Sequence, residues 1–455
     1  MNLSDSSSKM QKSSEDQDRI SNLPDIIIGH ILSLLSTREA VRTSVLSKRW
    51  EYMWTFITKL HFNDRDYKYR NYIRKNSFLN SVYRVLLHLN SSSIQSLSIS
   101  ISESYDFYHL KQWMSVMIGR KVKEIRINSG PQFEISSHSP IWKSRSLEKL
   151  VLRMYAFPVR HRRMEDYDIR ATIPTLNVDF LSLTVLRLYG IPITCVPPNS
   201  VQELRLNFPS LRKYKTVNCT WINVKRISIE MPKLEVLIIE DTNVIMSDSS
   251  QCVINLCASH LVEFSYSGQM SDTMSVALTI KSVASANIYP RYILNGFPNA
   301  LFAYQFLSTF NDKVERLRFE HPQVLAPAVN SMVGLPEFEM LTDLEVVDKI
   351  TGSLLWFLLL KAPFIETLTL KELLSFEHPS TPNLVPPCVA SKLEVVNFGR
   401  FQGNEHELRF AKLVFENAQV LKRVNFTCPW PSYGKKLKEK ILAFERSASA
   451  VIEFI

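Results

Sequence analysis

One six-residue frame, apolar-x-x-apolar-x-apolar, recurs along most of this chain. It begins at Ile94, Val122, Leu147, Leu183 and Val201, and again at Val224, Leu234, Leu261, Val314, Leu341, Ile365, Leu393 and Leu421. The last two apolar positions alternate as on a half-buried strand, and the first tucks the incoming turn inward. A single unit of this size cannot bury its own apolar face, so neighbours must stack into a parallel array. The spacing is uneven. Val224 and Leu234 are too close for two full turns, so one of them reads as not being a separate turn. Between Leu261 and Val314 there is room for another turn, placed around Leu278 and Ile280.

Many gaps between frames are 23 to 28 residues, the period of leucine-rich repeats. The Asn or Cys that regular repeats carry after the frame is mostly missing, so the loop carbonyls need other donors and the curve should be irregular. Pro precedes an apolar residue in Phe208-Pro209-Ser210-Leu211, Met231-Pro232-Lys233-Leu234 and Ala362-Pro363-Phe364-Ile365. Pro cannot continue a helix, so it should end a convex-side helix and push the chain into the next strand. Leu354 to Leu360 reads as one such buried helix. Leu60 to Leu89 predicts a strand and an amphipathic helix that cap the N-terminal end of the array.

Ahead of the array lie three short helical signals. Pro24 sits just inside the first start, with Asp25 in the first turn where the helix dipole favours it. Leu23, Ile27, Ile31 and Leu35 follow at helical spacing, with Ile28 and Leu32 beside them. Ser36 and Glu39 have capping-box spacing and open a second helix with Ala40, Val41 and Ser44. Ser47 opens a third, carrying Trp50, Met53 and Trp54. Forty residues cannot hide that much apolar surface without a metal or disulfide, so part of it should face another protein.

The run Leu23-Pro24-Asp25, then Ile31-Leu32-Ser33-Leu34-Leu35, then Ala40 through Ser47-Lys48-Arg49-Trp50 resembles the F-box of plant F-box proteins. The resemblance implies docking to a Skp-type adaptor and, through it, to a cullin–RING ubiquitin ligase. Carried over residue by residue, it assigns the adaptor interface or its direct support to Leu23, Pro24, Ile28, Ile31, Leu32, Leu46 and Trp50. At the other end, Asn404 to Glu407 has capping-box spacing and opens a helix with Leu408, Ala411, Leu413 and Phe415. A repeat-like strand at Leu421 to Phe426, a helix around Leu437 to Phe444 and a terminal strand at Ala450 to Phe454 follow. This piece resembles the FBD domain that ends many plant F-box proteins.

The resulting fold class is an α/β repeat: a three-helix F-box head on an irregular leucine-rich-repeat solenoid with a C-terminal FBD cap. The divisions are a Ser-rich tail over 1–17, the F-box over 18–58, a linker and N-terminal cap over 59–92, repeats over 93–375 and the FBD domain over 376–455.

Composition changes this picture little. The Ser-rich start has no apolar core and does not read as a signal peptide. The longest apolar run, Leu354 to Leu360, is seven residues, far short of the ~20 that a bilayer span needs. Six dispersed cysteines read as buried reduced thiols, which fits the nucleus or cytoplasm. Cys252 and Cys257 lack the second ligand pair of a zinc site. No phosphate loop, nucleophile motif or His/Cys cluster points to catalysis, and no cofactor is implied.

A net charge of +10 raises nucleic acid as an alternative partner, with its densest knots at Arg160, Arg162 and Arg163 and at Lys435 to Lys440. Neither knot has the interleaved aromatics of a nucleic-acid module. The expected function is therefore that of a non-catalytic substrate receptor, which raises the effective concentration of a target protein near the ligase. A non-degradative F-box scaffold is the other alternative. Open positions on the concave strands, among them Arg126, Arg205, Arg226, Arg316 and Arg423, are candidate target contacts. Their surroundings mix both signs and suggest no single ligand class.

Overall fold

The computed structural model describes residues 20, 22–67, 71–103, 105–130, 139–154, 171–174, 181–196, 203–222, 224–241, 243–245, 252–269, 274–291, 298–326, 337–376, 385–428 and 434–455. The tail over 1–17, the Arg160, Arg162 and Arg163 knot and Val201 lie outside them.

Helix α1 (Asp25–Leu34) begins one residue later than the sequence implies, so Pro24 is its N-cap and not its first helical residue. The Pro24 carbonyl accepts from the Ile27 and Ile28 amides at 2.9 and 3.1 Å, which needs nothing from the missing Pro N–H. Helix α2 (Thr37–Arg42) carries the expected capping box. The Ser36 hydroxyl accepts from the Glu39 amide, and the Glu39 carboxylate accepts from the Ser36 amide at 2.9 Å. The Ser36 hydroxyl, which also donates to the carboxylate at 2.8 Å, and the Ser36 amide together hold the Glu39 carboxyl below its usual range.

The third helix expected from Ser47 is absent. Turns run to Tyr52, and a single 3₁₀ segment follows at Met53–Phe56. Aromatic and β-branched residues crowd this stretch and have weak helix propensity. Burial of Trp50, which is 2% exposed, decides the backbone path instead.

Strand β1 (Lys59–Asn63) and helix α3 (Asn71–His88) are the strand and helix expected between Leu60 and Leu89. After α3 come β2 (Ser96–Ile101), α4 (Phe107–Gly119), β3 (Glu124–Ser129) and β4 (Lys149–Met154). Strands β2 and β3 bury alternate residues, as the frames at Ile94 and Val122 require, and β4 buries the Leu147-frame positions Leu150 and Leu152 with Val151 buried as well. Strand β1 pairs in parallel with β2 and is the edge strand of the sheet.

From residue 171 to 291 the connections change character. Here run β5 (Ala171–Pro174), β6 (Val185–Tyr189), β7 (Pro192–Val196), β8 (Glu203–Asn207), β9 (Lys213–Val217), β10 (Thr220–Ile222) and β11 (Arg226–Met231). Then follow β12 (Val236–Glu240), β13 (Asn243–Ile245), β14 (Cys252–Ala258), β15 (His260–Gln269), β16 (Met274–Thr279) and β17 (Ser282–Arg291). Helices return in the last part. Helix α5 (Pro298–Ser308) precedes β18 (Val314–Phe319) and β19 (Asp343–Thr351), and the helix Gly352–Leu360 precedes β20 (Thr367–Ser375). The chain ends with β21 (Val395–Phe398), the helix Glu405–Asn417, β22 (Arg423–Phe426), the helix Gly434–Leu442 and β23 (Val451–Phe454).

Fifteen of these strands form one sheet, in the order β1-β2-β3-β4-β6-β9-β12-β15-β17-β18-β19-β20-β21-β22-β23, and every pairing is parallel. Two further parallel sheets of four strands, β13-β10-β7-β5 and β16-β14-β11-β8, line the other sides of the middle turns.

The uneven spacing now has a cause. The Val224 frame makes β11 of a side sheet and the Leu234 frame makes β12 of the main sheet, so both are strands of one turn. The Val201 frame likewise falls at β8, in the same side sheet as β11. Leu278 lies on β16 of that sheet; the main-sheet strand between Leu261 and Val314 is β17, whose frame Val283, Ala286, Ile288 is disguised by its small central residue.

The proline expectation splits the same way. Pro363 follows a helix, as expected. Pro209 and Pro232 instead follow strands β8 and β11, not helices. Strand β11 carries the β-branched Ile227 and Ile229 and alternates in burial, and β8 pairs with it in parallel, whereas Gly352–Leu360 is a Leu-rich run without β-branched residues.

Three successive corners between the main sheet and a side sheet use left-handed backbone: Gly190 (φ 65), Asn218 (φ 52) and Asp241 (φ 52). Each amide donates to the next turn, Gly190 to the Val217 carbonyl at 2.8 Å, Asn218 to Glu240 at 2.9 Å and Asp241 to Ser267 at 2.7 Å. Gly, Asn and Asp are the residues that tolerate this region. A Cβ on Gly190 would also lie 2.5 Å from the Met154 carbonyl oxygen. Gly190→Ala should therefore cost about 2 kcal/mol or more, read as an earlier urea midpoint. Asn218→Gly, at the equivalent corner, should be close to neutral.

Candidate functional site

Helix α1 has two apolar faces. At about 100° per residue, Ile28 and Leu32 point one way, while Ile26, Ile27, His30 and Leu34 fall within one opposite arc of about 100°. Ile28 and Leu32 are buried, whereas Ile26 is 85% and Leu34 is 74% exposed. The turn after α2 adds Val45, 86% exposed, and Leu46. A short ion pair joins Arg49 to Asp25 at 2.5 Å and ties the Ser47–Trp50 turn to the start of α1. The core beneath is closed by Ile28, Leu32, Ala40 and Trp50, so these outward side chains are surplus to packing.

The residues singled out in the sequence therefore divide. Pro24 and Leu46 lie on the surface, Leu23 and Ile31 are half-buried, and Ile28, Leu32 and Trp50 are interior. The last three can support a docking face and cannot form it. Ile26, Leu34 and Val45 were overlooked. Splitting the α1 residues by helical angle into two arcs, instead of reading one broad stripe, would have found the first two.

The head is fastened to the sheet. The Thr37 hydroxyl accepts from the His61 amide at 2.7 Å, and the Arg38 guanidinium lies 4.8 Å from the centre of the Tyr67 ring. Asn90 donates to the Thr55 carbonyl at 2.8 Å, and Gln95 to the Thr58 carbonyl at 2.8 Å. Just past β1, the fully buried Asp64 carboxylate accepts from the Ser102 amide (2.7 Å), the Ser102 hydroxyl (2.8 Å) and the Glu103 amide (3.0 Å). A charged acceptor satisfied by this many donors fixes the first loop pair rigidly. Around it Phe78 packs edge-on to Tyr67 and Trp113.

The five arginines proposed as target contacts are not brought together. Arg126, Arg316 and Arg423 lie on the main sheet, while Arg205 and Arg226 lie on the side sheet that carries β8 and β11. Equal frames do not imply equal faces when a turn holds two frame-bearing strands. Cys252 and Cys257 both lie on β14; an odd separation on a strand sends them to opposite faces, the first buried and the second exposed.

A family model described as F-box domain matches residues 20–58, and one described as FBD matches residues 381–426. An F-box/FBD/LRR-repeat protein of Arabidopsis thaliana is 28% identical, over 97% of this chain and 96% of its own length. An FBD-associated F-box protein of the same plant is 26% identical over 88% of this chain and 90% of its own. The chain carries both domains and is similar along nearly its whole length to plant F-box/FBD proteins. Another F-box/FBD/LRR-repeat protein of that plant is 24% identical over 96% of this chain and its full length.

The FBD segment of this F-box/FBD protein uses its polar groups internally. Buried Glu407 accepts from the amides of Gln402 (2.9 Å), Gly403 (2.8 Å) and Asn404 (3.3 Å), completing the expected capping box. Burial pushes its carboxyl up, against the pull of those three donors. Asn425 donates to Asn397 at 2.7 Å and Asn397 to the Thr369 hydroxyl at 2.9 Å, a side-chain ladder across β22, β21 and β20. Beneath it the Phe398 and Phe426 rings stack at 4.9 Å.

Proposed function

We propose that this F-box/FBD protein is the substrate-receptor subunit of an SCF-type cullin–RING ubiquitin ligase, working in the nucleus or cytoplasm. F-box domains in general bind Skp-type adaptors, and F-box/LRR proteins are generally non-catalytic. What carries the reading here is the surplus apolar face of the head, Ile26, Ile27, Leu34, Val45 and Leu46, set over a core that is closed without it. Such a patch on a protein surface marks a protein interface. In this reading residues 93–375 are an irregular leucine-rich-repeat solenoid, 59–92 begin it, and 376–455 close it. The adaptor takes the head, and the target is presented on the body, so that its lysines reach a high effective concentration near the ubiquitin-loaded enzyme.

Affinity purification of the full chain from plant cells, with the proteasome inhibited, tests this. Skp-type adaptor and cullin should co-elute in near-stoichiometric amounts. Recovery of the folded chain with neither would overturn the reading.

A further inference from the structure

Charges on the open face of the main sheet are mixed when read along the sequence, but pairing registers sort them. In register across β3, β4, β6 and β9 run Arg126, Val151, Arg187 and Lys215; beside that row run Glu124, Lys149, Val185 and Lys213. One step further along the strands, Arg153 lies opposite Tyr189, its guanidinium 4.5 Å from the ring centre. Since all of these alternate with buried core residues, they share the face that points away from the core.

Six cations thus stand on four neighbouring strands, Arg126, Lys149, Arg153, Arg187, Lys213 and Lys215. Glu124 takes Lys149 at 3.1 Å and also pairs with Arg126, and Glu240 on the next strand takes Lys215 at 3.0 Å. Among the described residues no carboxylate pairs with Arg153, Arg187 or Lys213. Arg187 faces Lys215 directly across a strand pair, an arrangement that costs stability.

Farther along, the same face is self-neutralised. Arg316 lies opposite Asp343 and Arg318 opposite Glu345 in register. Arg318 reaches Glu345 and Glu320 at 3.4 Å, and Lys349 reaches Glu372 at 3.0 Å. Among the described residues, the sheet therefore matches its charges within itself at β18–β20 and leaves Arg153, Arg187 and Lys213 without a carboxylate partner at β3–β9. Valines between the cations lower the local polarity, and Tyr189 holds the Arg153 guanidinium in place, so the patch is organised before any ligand arrives.

We propose that the open face of β3, β4, β6 and β9 binds an extended acidic segment of the target protein, its carboxylates or phosphates answering Arg153, Arg187 and Lys213. The proposal rests on the receptor reading and names the chemical class of what is received. With strands about 4.8 Å apart, four of them span roughly 14 Å, the length of about four extended residues. A short motif with three or four negative charges fits that span.

The test is fluorescence anisotropy with the full chain and a labelled 12-residue peptide of alternating Glu and Gly, against its Gln counterpart. The Glu peptide should bind and the Gln peptide should not, with affinity falling as salt rises. The double variant Arg187→Glu with Lys213→Glu should weaken binding by about 10-fold or more, and Arg187→Gln with Lys213→Gln by less. Lys233→Glu with Lys281→Glu, an equal charge change in the turns after β11 and β16, should leave binding unchanged.

Equal losses in both charge-reversed variants, or no discrimination between the peptides, overturns the proposal. A single-stranded RNA of equal charge that binds more tightly than the peptide, and is weakened by the same double variant, also overturns it and assigns the patch to nucleic acid. Adaptor co-purification is scored on the same preparations. Adaptor retained without peptide binding sinks the proposal alone; peptide binding without adaptor sinks the receptor reading and leaves the patch standing.

Discussion

Ile27→Asp combined with Leu46→Asp is expected to abolish adaptor binding while leaving the protein folded. Both side chains are exposed, one on the outward arc of α1 and one on the turn after α2, so the folded state gives up little of its own packing. Surface changes of this kind are usually within about 0.5 kcal/mol of neutral. In a dry interface each would instead forfeit about 1.5–3 kcal/mol of apolar burial and strand a carboxylate. The sum exceeds about 3 kcal/mol, a loss of 100-fold or more in affinity.

Trp50→Ala gives the contrast. Its ring is interior, and removing it should cost about 3–5 kcal/mol and lose adaptor by melting the head. Circular dichroism and urea midpoints separate the two variants. If the double Asp variant is folded and still retains adaptor at wild-type affinity, the outward arc is not the docking face.

Asp64→Ala should loosen the junction of head and sheet. Its carboxylate takes two amides and a hydroxyl, all from residues just past β2, in a place with no solvent to replace them. Bonds to a charged acceptor are worth about 1.5–3 kcal/mol each, and orphaned buried donors cost about 1–3 kcal/mol apiece. A loss of about 3–5 kcal/mol follows, since the loop can relax in part. Asp64→Asn should be only partly tolerated, because its NH₂ would face a donor. The check is hydrogen exchange at the Ser102 and Glu103 amides, which should speed up first, with β20–β22 unchanged. Exchange that stays slow in Asp64→Ala would mean the loop is held by other contacts.

The parallel array was legible wherever the frame had large apolar residues at all three positions, as at Val122 and Leu341. It was misread where one position was small or polar. Val283-Ala286-Ile288 and Leu211-Tyr214-Thr216 both make main-sheet strands, β17 and β9; neither reads as a frame, and only Pro209 points to the strand after Leu211. The side sheets were invisible for a different reason. Alternation marks a strand without saying which of three sides of a turn it lines, so Val201 and Val224 passed as main-sheet frames. Capping boxes at Ser36 and Asn404 were readable because they are local, side chain to backbone over three residues. Ser47 failed as a helix start because Trp50, a tertiary anchor, controls that backbone. The outward apolar arc of the head was half legible. The motif spans it, but the same motif residues include the buried ones beneath, and only helical angle tells Ile26 from Ile28.

The unbroken fifteen-stranded ladder also sets a scale of length. Successive strands are about 4.8 Å apart, so the path along the sheet from the head-bearing edge to the last strand is roughly 70 Å, and each added or deleted turn changes it by one such step. The body is in this sense a ruler whose divisions are strands. The basic patch falls between its third and sixth divisions, roughly 10–25 Å from the strand that carries the head. Anything clamped there is held close to the anchored end, and the remaining nine divisions extend beyond it as free span.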